Sequence, residues 1–445
     1  MKRRELLKLG AASALAPWAA MQAGAQAAPE EDYRALVCVF LLGGNDGNNL
    51  IVPTDTTPYA RYRQARANLA IPREQLLAIN PANSNGAAYG LHPALGGVQA
   101  LFNSGQAAVV ANTGPLMVPT SQAQWATRSV PLPLNLYSHS DQQGMWQSAI
   151  ADGPARNGWG GRLLERLVAE GSANRGYSAV SLAGGNVWES GDTSLTAYRV
   201  SPSGNFGFDF YNPAGSADPL SAAVGSLLAE TSADPFAQTW LDMLDRSLDN
   251  QRVLTGALAT GTTLATAFPE TGLGVQLRMA ARLIAARQAL GLKRQCFYCS
   301  IGGFDTHGDD QLQRQQEAFT EIGDAVAAFH AATVELGVSR QATLFTASDF
   351  GRTLASNGQG SDHGWGSHHL VVGGSVRGQR IVGSFPELVL GGPDDAGEGV
   401  WIPTTSIDQF GGELARWFGA DTATVNQIFP RLGHFDRDIG LMSFG

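Results

Sequence analysis

Aspartate and histidine residues follow three apolar segments of the sequence, at the points where each segment gives way to glycine-rich chain. Carboxylates and imidazoles are the ligands of hard and borderline divalent metals, and loops can bring them to one point. The pattern therefore predicts a divalent metal site, with zinc as the first choice and calcium, manganese or iron as alternatives. The predicted ligands are Asp46, Asp305, His307, Asp349, Asp362, His363 and His368.

The three apolar segments have the composition of strands buried on both faces of a sheet. They cover residues 35–42, 295–301 and 343–347, and an amphipathic helix pattern at 311–336 separates the last two. Strand, helix and strand joined by loops of this size form a βαβ unit, which favours a parallel sheet. The carboxyl ends of parallel strands meet at one edge, so the loops with the predicted ligands are expected to lie together.

The remaining segments complete an α/β pattern, in which a mostly parallel central sheet is flanked by helices. Residues 350–369 are expected to form a loop that delivers the later histidines, and residues 59–106 to contain helix and loop. Residues 190–270, with an aromatic patch at 206–211, are predicted to be an insertion or cap within one domain of residues 28–445. Further predicted strands cover 107–111 and 370–372, a short strand or hairpin covers 378–385, and further predicted helices cover 93–104, 163–170, 235–254, 275–290, 408–418 and 423–429.

The segment around Ser138 and Ser140 places hydroxyl groups at the predicted start of a helix. Backbone amides at a helix start favour anions and lower the pKa of a nucleophile, so both serines and the intervening His139 are candidate catalytic residues. An ordinary helix cap is the alternative interpretation of these serines. Arg352, or Arg162, could bind the non-bridging oxygens of an anionic ester, and either could instead be a surface or structural cation.

The cysteines indicate little chemistry. Cys38, Cys296 and Cys299 are an odd number, so at least one is unpaired or pairs between chains. Cys296 and Cys299 have the spacing of a redox or zinc motif, but residues three apart in a strand point to opposite faces. Buried, unreactive thiols are the preferred prediction.

Residues 1–27 resemble a twin-arginine export signal. Arg3 and Arg4 precede a short apolar segment, and Ala25 to Ala27 offer small residues for cleavage after Ala27. The apolar segment is shorter than the roughly 20 residues that span a bilayer. The sequence therefore predicts a soluble protein that the twin-arginine machinery exports to the bacterial periplasm or beyond, without stable membrane insertion.

The charge of the chain argues against nucleic acid as a partner. The formal net charge is −9, and residues 1–27 contain four basic residues and one acidic residue, so cleavage there would take the charge to −12. A protein of this sign lacks the basic footprint that binds nucleic acid or an anionic membrane surface. Any anionic substrate would need a local metal ion or arginine.

Several motifs, in this order along the chain, resemble the exported bacterial family DUF1501, and the likeness covers nearly the whole mature chain. They are GGNDG, SHSDQQ, NGWGGR, GGFDTHG and SDFGRT followed by SDHGWGSHHLVVGG. That family is grouped with the alkaline-phosphatase-like fold, which includes phosphatases, sulfatases, phosphopentomutases and cofactor-independent phosphoglycerate mutases. The resemblance implies an alkaline-phosphatase-like domain with two divalent ions.

The resemblance also implies roles for individual residues. The first-strand metal aspartate of the superfamily would be Asp46, and the helix-start nucleophile would be Ser138 or Ser140. Its Asp-and-His pair would be Asp305 and His307. The following positions have alternatives, with Asp349 or Asp362 for the next aspartate and His363, His368 or His369 for the late histidine.

The chain departs from the superfamily pattern in three respects. Asp305 and His307 are separated by one residue instead of three, and Phe350 follows Asp349 where a histidine would often stand. None of the three cysteines lies in the Cys-x-Pro-x-Arg motif of standard sulfatases. The first two departures put a complete two-metal site in question, and the third excludes the usual sulfatase nucleophile.

The expected function is metal-dependent hydrolysis of phosphate or sulfate esters of a small molecule or polymer outside the cytoplasm. Two divalent ions would polarise the transferred group and stabilise the leaving oxygen. The first alternative is a non-catalytic binding or assembly factor that retains the fold and a structural metal. The second is a mononuclear metal oxidoreductase.

Overall fold

The first apolar segment forms the strand at the centre of the main sheet. This computed structural model describes residues 32–193, 195, 197–204 and 219–444. The predicted export signal and the aromatic patch at 206–211 lie outside the described residues. The strands are β1 (Arg34–Leu41), β2 (Ile51–Pro53), β3 (Leu77–Ile79), β4 (Tyr89–Leu91), β5 (Ala107–Gly114), β6 (Ala179–Ser181), β7 (Tyr198–Arg199), β8 (Arg294–Ile301), β9 (Ala342–Ser348), β10 (Ser367–Gly373), β11 (Ile381–Val382) and β12 (Thr405–Ser406).

The main sheet has nine strands in the order β11-β5-β10-β9-β1-β8-β6-β7, with β12 paired to β5. Strand β1 runs parallel to both β8 and β9. Strand β10 is antiparallel to its neighbours β9 and β5, whereas the other pairs in this sheet are parallel. The predicted mostly parallel sheet is therefore confirmed.

The register of the three central strands decides where the functional loops lie. Leu41 of β1 pairs with Ile301 of β8 on one side and with Ser348 of β9 on the other. All three strands therefore end at the same level of the sheet. The loops that follow them leave from one edge, as expected for a parallel sheet.

Helices cover both faces of this sheet. The helices longer than one turn are α2 (Thr56–Arg66), α3 (Gly96–Asn103), α4 (Gln122–Thr127), α5 (His139–Ser148), α6 (Trp159–Ala169), α7 (Pro219–Leu228), α8 (Pro235–Thr260), α9 (Gly272–Ala285), α10 (Gln311–Glu335), α11 (Ile407–Phe418) and α12 (Thr422–Ile428), after the single turn α1 (Gly47–Leu50). Helices α5, α6, α11 and α12 bury their apolar residues against one face, and α3, α9 and α10 lie on the other.

Aromatic residues dominate the core beneath α5 and α6. Trp159 packs against Trp188 and Phe345, with ring centroids 5.2 and 5.7 Å apart. Aromatic side chains bury large apolar areas, and their ring contacts fix the relative positions of the elements that carry them. The start of α6 is consequently held against β9 and the loop that contains Trp188.

The observed boundaries confirm most predicted elements and correct three. Strand β10 begins at Ser367, so His368 and His369 lie inside a buried strand and not in the predicted loop. Residues 59–106 also contain β3 and β4, which form a small antiparallel sheet with β2. The predicted strand at 378–385 is reduced to the two residues of β11. Runs this short carry little hydrophobic periodicity, so the sequence pattern does not mark them.

The cysteine prediction is confirmed, since Cys38, Cys296 and Cys299 are all buried and unpaired. Burial raises the pKa of each thiol, which disfavours the reactive thiolate. Within the described residues no helix is long and apolar enough to cross a membrane.

Candidate metal centre

Three side chains from separate parts of the chain converge above the carboxyl edge of the sheet. Asp305 lies in the loop after β8, His363 in the loop between β9 and β10, and His139 in the first turn of α5. The Nε2 atoms of His139 and His363 each lie 3.6 Å from Asp305 Oδ1. The three ligand atoms lie within 4.8 Å of one another, which makes the group a candidate metal centre.

The hydrogen bonds of the two histidines place the proton of a neutral ring on Nδ1. His139 Nδ1 lies 2.7 Å from Asp349 Oδ2, and His363 Nδ1 lies 2.8 Å from the carbonyl oxygen of Tyr137. Both partners can only accept, so each Nδ1 carries the proton and each neutral ring has its lone pair on Nε2. Partners of this kind hold metal-binding histidines in the correct tautomer and orientation.

His307 brings a third imidazole to the same point. Its Nδ1 lies 3.1 Å from Asp362 Oδ1, and its Nε2 lies 3.0 Å from Asp305 Oδ1 and 2.9 Å from His363 Nε2. When both rings are neutral and protonated at Nδ1, the Nε2 lone pairs of His307 and His363 face each other. A cation bound between the two nitrogens would remove this repulsion. We call His139, Asp305, His307 and His363 the His/Asp cluster.

The surroundings of His363 disfavour its protonation. Burial lowers the pKa of His363; the Tyr137 carbonyl raises it, but the charge of Arg352 and the two neighbouring histidines lower it again. The neutral form of His363 is therefore favoured near pH 7. Partial burial raises the pKa of Asp305, but the hydrogen bond and charge of Arg352 outweigh this effect, so Asp305 remains ionised.

The cluster fits one divalent ion. Bonds of about 2.0–2.2 Å to imidazole nitrogen and carboxylate oxygen place neighbouring ligand atoms about 3 to 3.6 Å apart. The two nitrogen-to-oxygen separations of 3.6 Å lie at the upper end of this range, and two nitrogens with one carboxylate suit zinc or another borderline divalent metal. His139, Asp305 and His363 are therefore the residues that would hold the ion.

Arg352 is buried directly beneath the cluster. Its Nη2 donates to Asp305 Oδ1 and to the Gly43 carbonyl, both at 2.6 Å, and its Nη1 lies 3.2 Å from His307 Nε2. The remaining two N–H groups donate to the carbonyls of Gly44 and Ser361. All five donors of this guanidinium are thus used within the protein, which differs from the predicted role of clamping an ester.

Gly43 lets the loops after β1 and β8 come together. Its φ is +116°, a conformation that side chains rarely adopt, and a Cβ atom there would lie 2.5 Å from the backbone nitrogen of Asp305. Its own N–H donates to Asp349 Oδ2 at 3.2 Å. The first glycine-rich motif therefore supports the cluster through its backbone.

Asp46, the predicted ligand of this motif, lies outside the cluster. Its carboxylate is buried and accepts hydrogen bonds from Arg66, from Gln311 Nε2 at 2.7 Å and from the side chain and backbone of Asn48. Arg66 is also fully buried and brings a positive charge to the position where the resemblance implied a second ion. The residues around Asp46 do not fit a metal ion.

Two further predicted ligands, Asp349 and Asp362, contact cluster histidines and not the point of convergence. Asp349 is buried and also accepts from Gln143 Nε2 at 2.9 Å, whereas Asp362 is half exposed and also accepts from Asn357 at 3.1 Å. Burial raises the pKa of Asp362, but hydrogen bonds from Asn357 and His307 lower it below its usual value. Both carboxylates therefore hold histidines through Nδ1.

We expect Asp349→Asn to weaken metal binding by about 10- to 100-fold, the range typical of partners behind a metal ligand. The asparagine keeps the size of the side chain but loses the negative charge that favours a protonated Nδ1 and a basic Nε2 on His139. Titration of the metal-free protein with Zn²⁺ against a chromophoric chelator measures the change. Asp245→Asn, which changes an exposed aspartate on α8, is the control, and equal affinities in the two variants would contradict the role assigned to Asp349.

His368 and His369 are separated from the cluster by their place in β10. His368 Nδ1 accepts from the Asn112 N–H at 3.0 Å, and its ring stacks on Phe385. His369 packs between Trp146 and Phe410, and neither of its ring nitrogens has a hydrogen-bond partner among the described residues. Burial lowers the pKa of each of these histidines to about 3.

We expect His369→Phe to reduce the sensitivity of the fold to acid. A histidine with a lowered folded pKa contributes stability that is present above the unfolded pKa of about 6.5 and lost as the pH falls from there towards the folded pKa. For one histidine the loss is about 2 kcal/mol between about pH 7 and pH 5. Urea unfolding at pH 7 and pH 5 measures how much the unfolding free energy falls between these two pH values. We expect this fall to be about 2 kcal/mol smaller in His369→Phe than in the wild type, and equal falls would contradict the prediction.

The candidate serines stand beside the cluster but do not contact it. Ser138 precedes α5, and its hydroxyl donates to Asp141 Oδ2 at 2.5 Å, while Ser140 is exposed and lies 3.4 Å from Ser138 Oγ. Arg162 donates to Asn157 and to two backbone carbonyls, so its contacts are structural. Of the four predicted catalytic residues, the structure brings His139 and Arg352 into the site.

Sequence reasoning missed the contribution of backbone and distant side chains. The Tyr137 carbonyl holds His363 because Tyr137 has a φ of +73°, and no sequence signal marks that conformation in a tyrosine. Arg66 was also missed, since it lies in an otherwise polar helix pattern. His139 of the SHSDQQ motif is predicted from the sequence as a catalytic residue, and the structure places it in the candidate metal centre.

A family model described as "Protein of unknown function (DUF1501)" matches residues 33–395. The chain belongs to the DUF1501 family. This confirms the resemblance drawn from the glycine-rich and histidine motifs. No functionally curated protein matches the chain.

Solved structures similar to this DUF1501 chain include sulfatases and a lipoteichoic acid synthase. The synthase LtaP from Listeria monocytogenes is 9% identical with a TM-score of 0.29, and the match covers 77% of this chain and 65% of the synthase. The PsFucS1 sulfatase from Pseudoalteromonas sp. is 10% identical with a TM-score of 0.31, covering 100% and 75% of the two chains. A Bacteroides thetaiotaomicron protein of glycosaminoglycan metabolism is 11% identical with a TM-score of 0.35, covering 92% and 77%. Because these TM-scores are low, we base the proposed function on the side chains of the cluster.

Proposed function

We propose that this DUF1501 protein binds one divalent metal ion at His139, Asp305 and His363 and hydrolyses phosphate or sulfate esters there. The convergence of unprotonated imidazole nitrogens on a single carboxylate supports the proposal most strongly. The Nε2 atoms of His139 and His363 each lie 3.6 Å from Asp305 Oδ1, so the two imidazoles and the carboxylate could share one divalent ion. A bound divalent ion would act as a Lewis acid on the ester group.

The exposed side of the cluster is where substrate would enter. Asp305, His307 and Asp362 are each about half exposed, at 53%, 44% and 48%, whereas Asp349 and Arg352 are buried behind them. Arg352 orients Asp305, and Asp349 orients His139, so neither residue needs to touch the ester. We propose that a water molecule attacks the phosphorus or sulfur atom and displaces the alcohol, because no described hydrogen bond joins Ser138 or Ser140 to the cluster.

A cavity beside α5 is suited to the alcohol part of the ester. It has a volume of about 590 Å³ and shares Gln143, which contacts Asp349, with the wall of the metal centre. Its side chains are apolar groups, hydroxyls, amides and one carboxylate, Asp141, with no basic residue. A neutral small molecule or one unit of a polymer would fit this lining better than an anionic group would.

Hydrolysis of aryl esters by the metal-loaded protein tests the proposed reaction. Residues 28–445 would be assayed with an aryl phosphate and an aryl sulfate after loading with Zn²⁺, Mn²⁺ or Ca²⁺. We expect turnover that a chelator abolishes and that His363→Gln loses, with Ser138→Ala and Ser140→Ala remaining active. Loss of turnover in either serine variant would indicate that this serine, and not water, is the nucleophile. Tight metal binding without turnover would contradict hydrolysis.

A non-catalytic metal-binding factor is the second candidate. It is favoured by the saturated guanidinium of Arg352, which has no N–H group left for an anionic substrate, and by the absence of a serine hydroxyl from the described contacts of the cluster. Such a protein would bind the ion and a surface polymer or partner without turnover. The aryl ester assay separates the two candidates.

We further propose that the protein acts in the periplasm or outside the cell after export by the twin-arginine machinery. Arg3 and Arg4 near the start of the chain support this location. Replacement of both by lysine should leave the precursor in the cytoplasm. Normal export of that variant would contradict the proposed route.

A further inference from the structure

Arg352 and a metal ion would compete for the same atoms of the His/Asp cluster. The guanidinium contacts Asp305 Oδ1 at 2.6 Å and His307 Nε2 at 3.2 Å, and it is itself fully buried. A buried charge of this kind is costly unless it is paired, and here the pairing is supplied by two potential metal ligands and three backbone carbonyls. The competition differs between the two ligands, because they have different numbers of lone pairs.

Asp305 can accept a hydrogen bond from Arg352 and bind a metal ion at the same time. A carboxylate has two oxygens with about four lone-pair positions, so Oδ1 can accept from Arg352 while the carboxylate still binds an ion. Arg352 therefore lowers the affinity of the centre through its charge but does not remove Asp305 from it.

His307 Nε2 can bind either Arg352 or a metal ion, but not both. Its Nδ1 donates to Asp362, so a single lone pair remains on Nε2, and Arg352 Nη1 donates to that lone pair. In position, however, His307 is suited to an ion, since Nε2 lies 3.0 Å from Asp305 Oδ1 and 2.9 Å from His363 Nε2. These are separations of adjacent ligands around one metal.

We infer that Arg352 holds His307 out of the metal coordination shell, so that His307 is a latent fourth ligand and Arg352 limits the affinity of the centre. This inference rests on the metal centre of the proposed function. It assigns to Arg352 a positioning role that differs from binding an ester.

The wild-type protein and single histidine variants give the first part of the test. Zn²⁺ affinity is measured by competition with a chromophoric chelator for wild type, His307→Gln and His363→Gln. We expect His363→Gln to weaken binding at least about 100-fold and His307→Gln to change it less than about 3-fold, because only His363 is a ligand in the wild type. Equal losses in the two variants would overturn the inference.

Removal of the guanidinium gives the second part. We expect Arg352→Gln to bind Zn²⁺ at least about 10-fold more tightly than wild type, because one positive charge is removed and a fourth ligand is released. The gain should largely vanish in the double variant Arg352→Gln, His307→Gln. The visible absorption spectrum of the Co²⁺-loaded protein should differ between the wild type and Arg352→Gln, because the variant adds a nitrogen ligand. Arg162→Gln, which replaces a half-buried arginine outside the cluster, should leave the spectrum unchanged.

The outcomes distinguish this inference from the metal centre on which it rests. Two outcomes overturn the inference alone, provided that the wild type binds Zn²⁺ stoichiometrically. In the first, folded Arg352→Gln binds Zn²⁺ no more tightly than the wild type. In the second, Arg352→Gln raises the Zn²⁺ affinity by the same factor when His307→Gln is also present. Absence of binding in both wild type and Arg352→Gln overturns it together with the proposed centre. If Arg352→Gln folds poorly without metal, the rise in melting temperature on adding Zn²⁺ should be larger than in wild type, and a smaller rise overturns the inference.

Discussion

Asp305→Ala is expected to lower the affinity for a divalent ion by more than about 100-fold, the largest effect that we predict for binding. Loss of a direct ligand should exceed the 10- to 100-fold cost of losing a partner behind a ligand. Asp305 also contacts every other residue of the cluster and Arg352, since His139, His307, His363 and Arg352 all lie within 3.6 Å of Oδ1. Competitive titration with Zn²⁺ and elemental analysis of the purified variant measure the loss.

Asp309→Asn is the matched control for this prediction. Asp309 is exposed in the same loop, four residues from Asp305, and its replacement removes one negative charge from that loop. Asp305→Asn separates ligand loss from unfolding, because the amide oxygen can still accept from Arg352. If Asp305→Asn and Asp309→Asn both bound metal as tightly as the wild type, Asp305 would not be a ligand.

Arg66→Ala is expected to destabilise the fold by about 3–5 kcal/mol, because it leaves the carboxylate of Asp46 buried and without its counter-charge. Arg66 and Asp46 are 0% and 3% exposed. Arg66 also donates to the carbonyls of Thr353 and Leu354, which tie α2 to the loop after β9. Urea unfolding at neutral pH measures the change in unfolding free energy.

A surface ion pair on α8 gives the control for this second prediction. Arg252 and Asp249 lie 2.9 Å apart, but their side chains are 68% and 60% exposed. Exposed pairs contribute less than about 1 kcal/mol, so Arg252→Ala should be nearly neutral. Similar small losses in Arg66→Ala and Arg252→Ala would show that the buried pair does not hold this edge of the sheet.

A hydrogen-bonded path joins the buried pair to the cluster. Gln311 donates to Asp46 and accepts from Ser361 Oγ at 2.9 Å, and the carbonyl of Ser361 accepts from Arg352 at 2.9 Å. Arg66 and Arg352 therefore sit at the two ends of one polar network. We expect Arg66→Ala to weaken metal binding as well as stability, although less than Asp305→Ala does.

The central strands could be predicted from the sequence because each is a continuous apolar run. The run that became β1 is buried along nearly its whole length, and β8 and β9 flank it in parallel. Burial on both faces is what such composition indicates. The same logic correctly placed Asp305 at the edge of the sheet where ligands collect.

The assignment of individual residues could not be predicted in the same way. Asp46 and Asp305 both follow apolar strands on glycine-rich loops, yet only Asp305 joins the cluster. The difference depends on Arg66, a residue 20 positions away from Asp46 that folding brings to its carboxylate. Pairings between distant charged residues leave no local pattern.

The histidines of β10 show how a boundary shift changes a functional prediction. Gly373 and Gly374 correctly indicated where the strand ends, but the polar residues Ser367 to His369 concealed where it begins. Polar side chains are tolerated there because aromatic residues cover them, as Trp146 and Phe410 cover His369. The strand composition alone favoured a loop, and tertiary packing decided the outcome.

The number of metal ions per chain tests the account most directly. Residues 28–445 would be purified from the native export route without chelators and examined by elemental analysis, alongside His363→Gln. We predict one divalent ion per wild-type chain and less than about one tenth of that in the variant. Two ions per chain would contradict the conclusion that Asp46 pairs with Arg66 and does not bind a metal ion. A folded wild-type protein that takes up no divalent ion would contradict the metal centre itself.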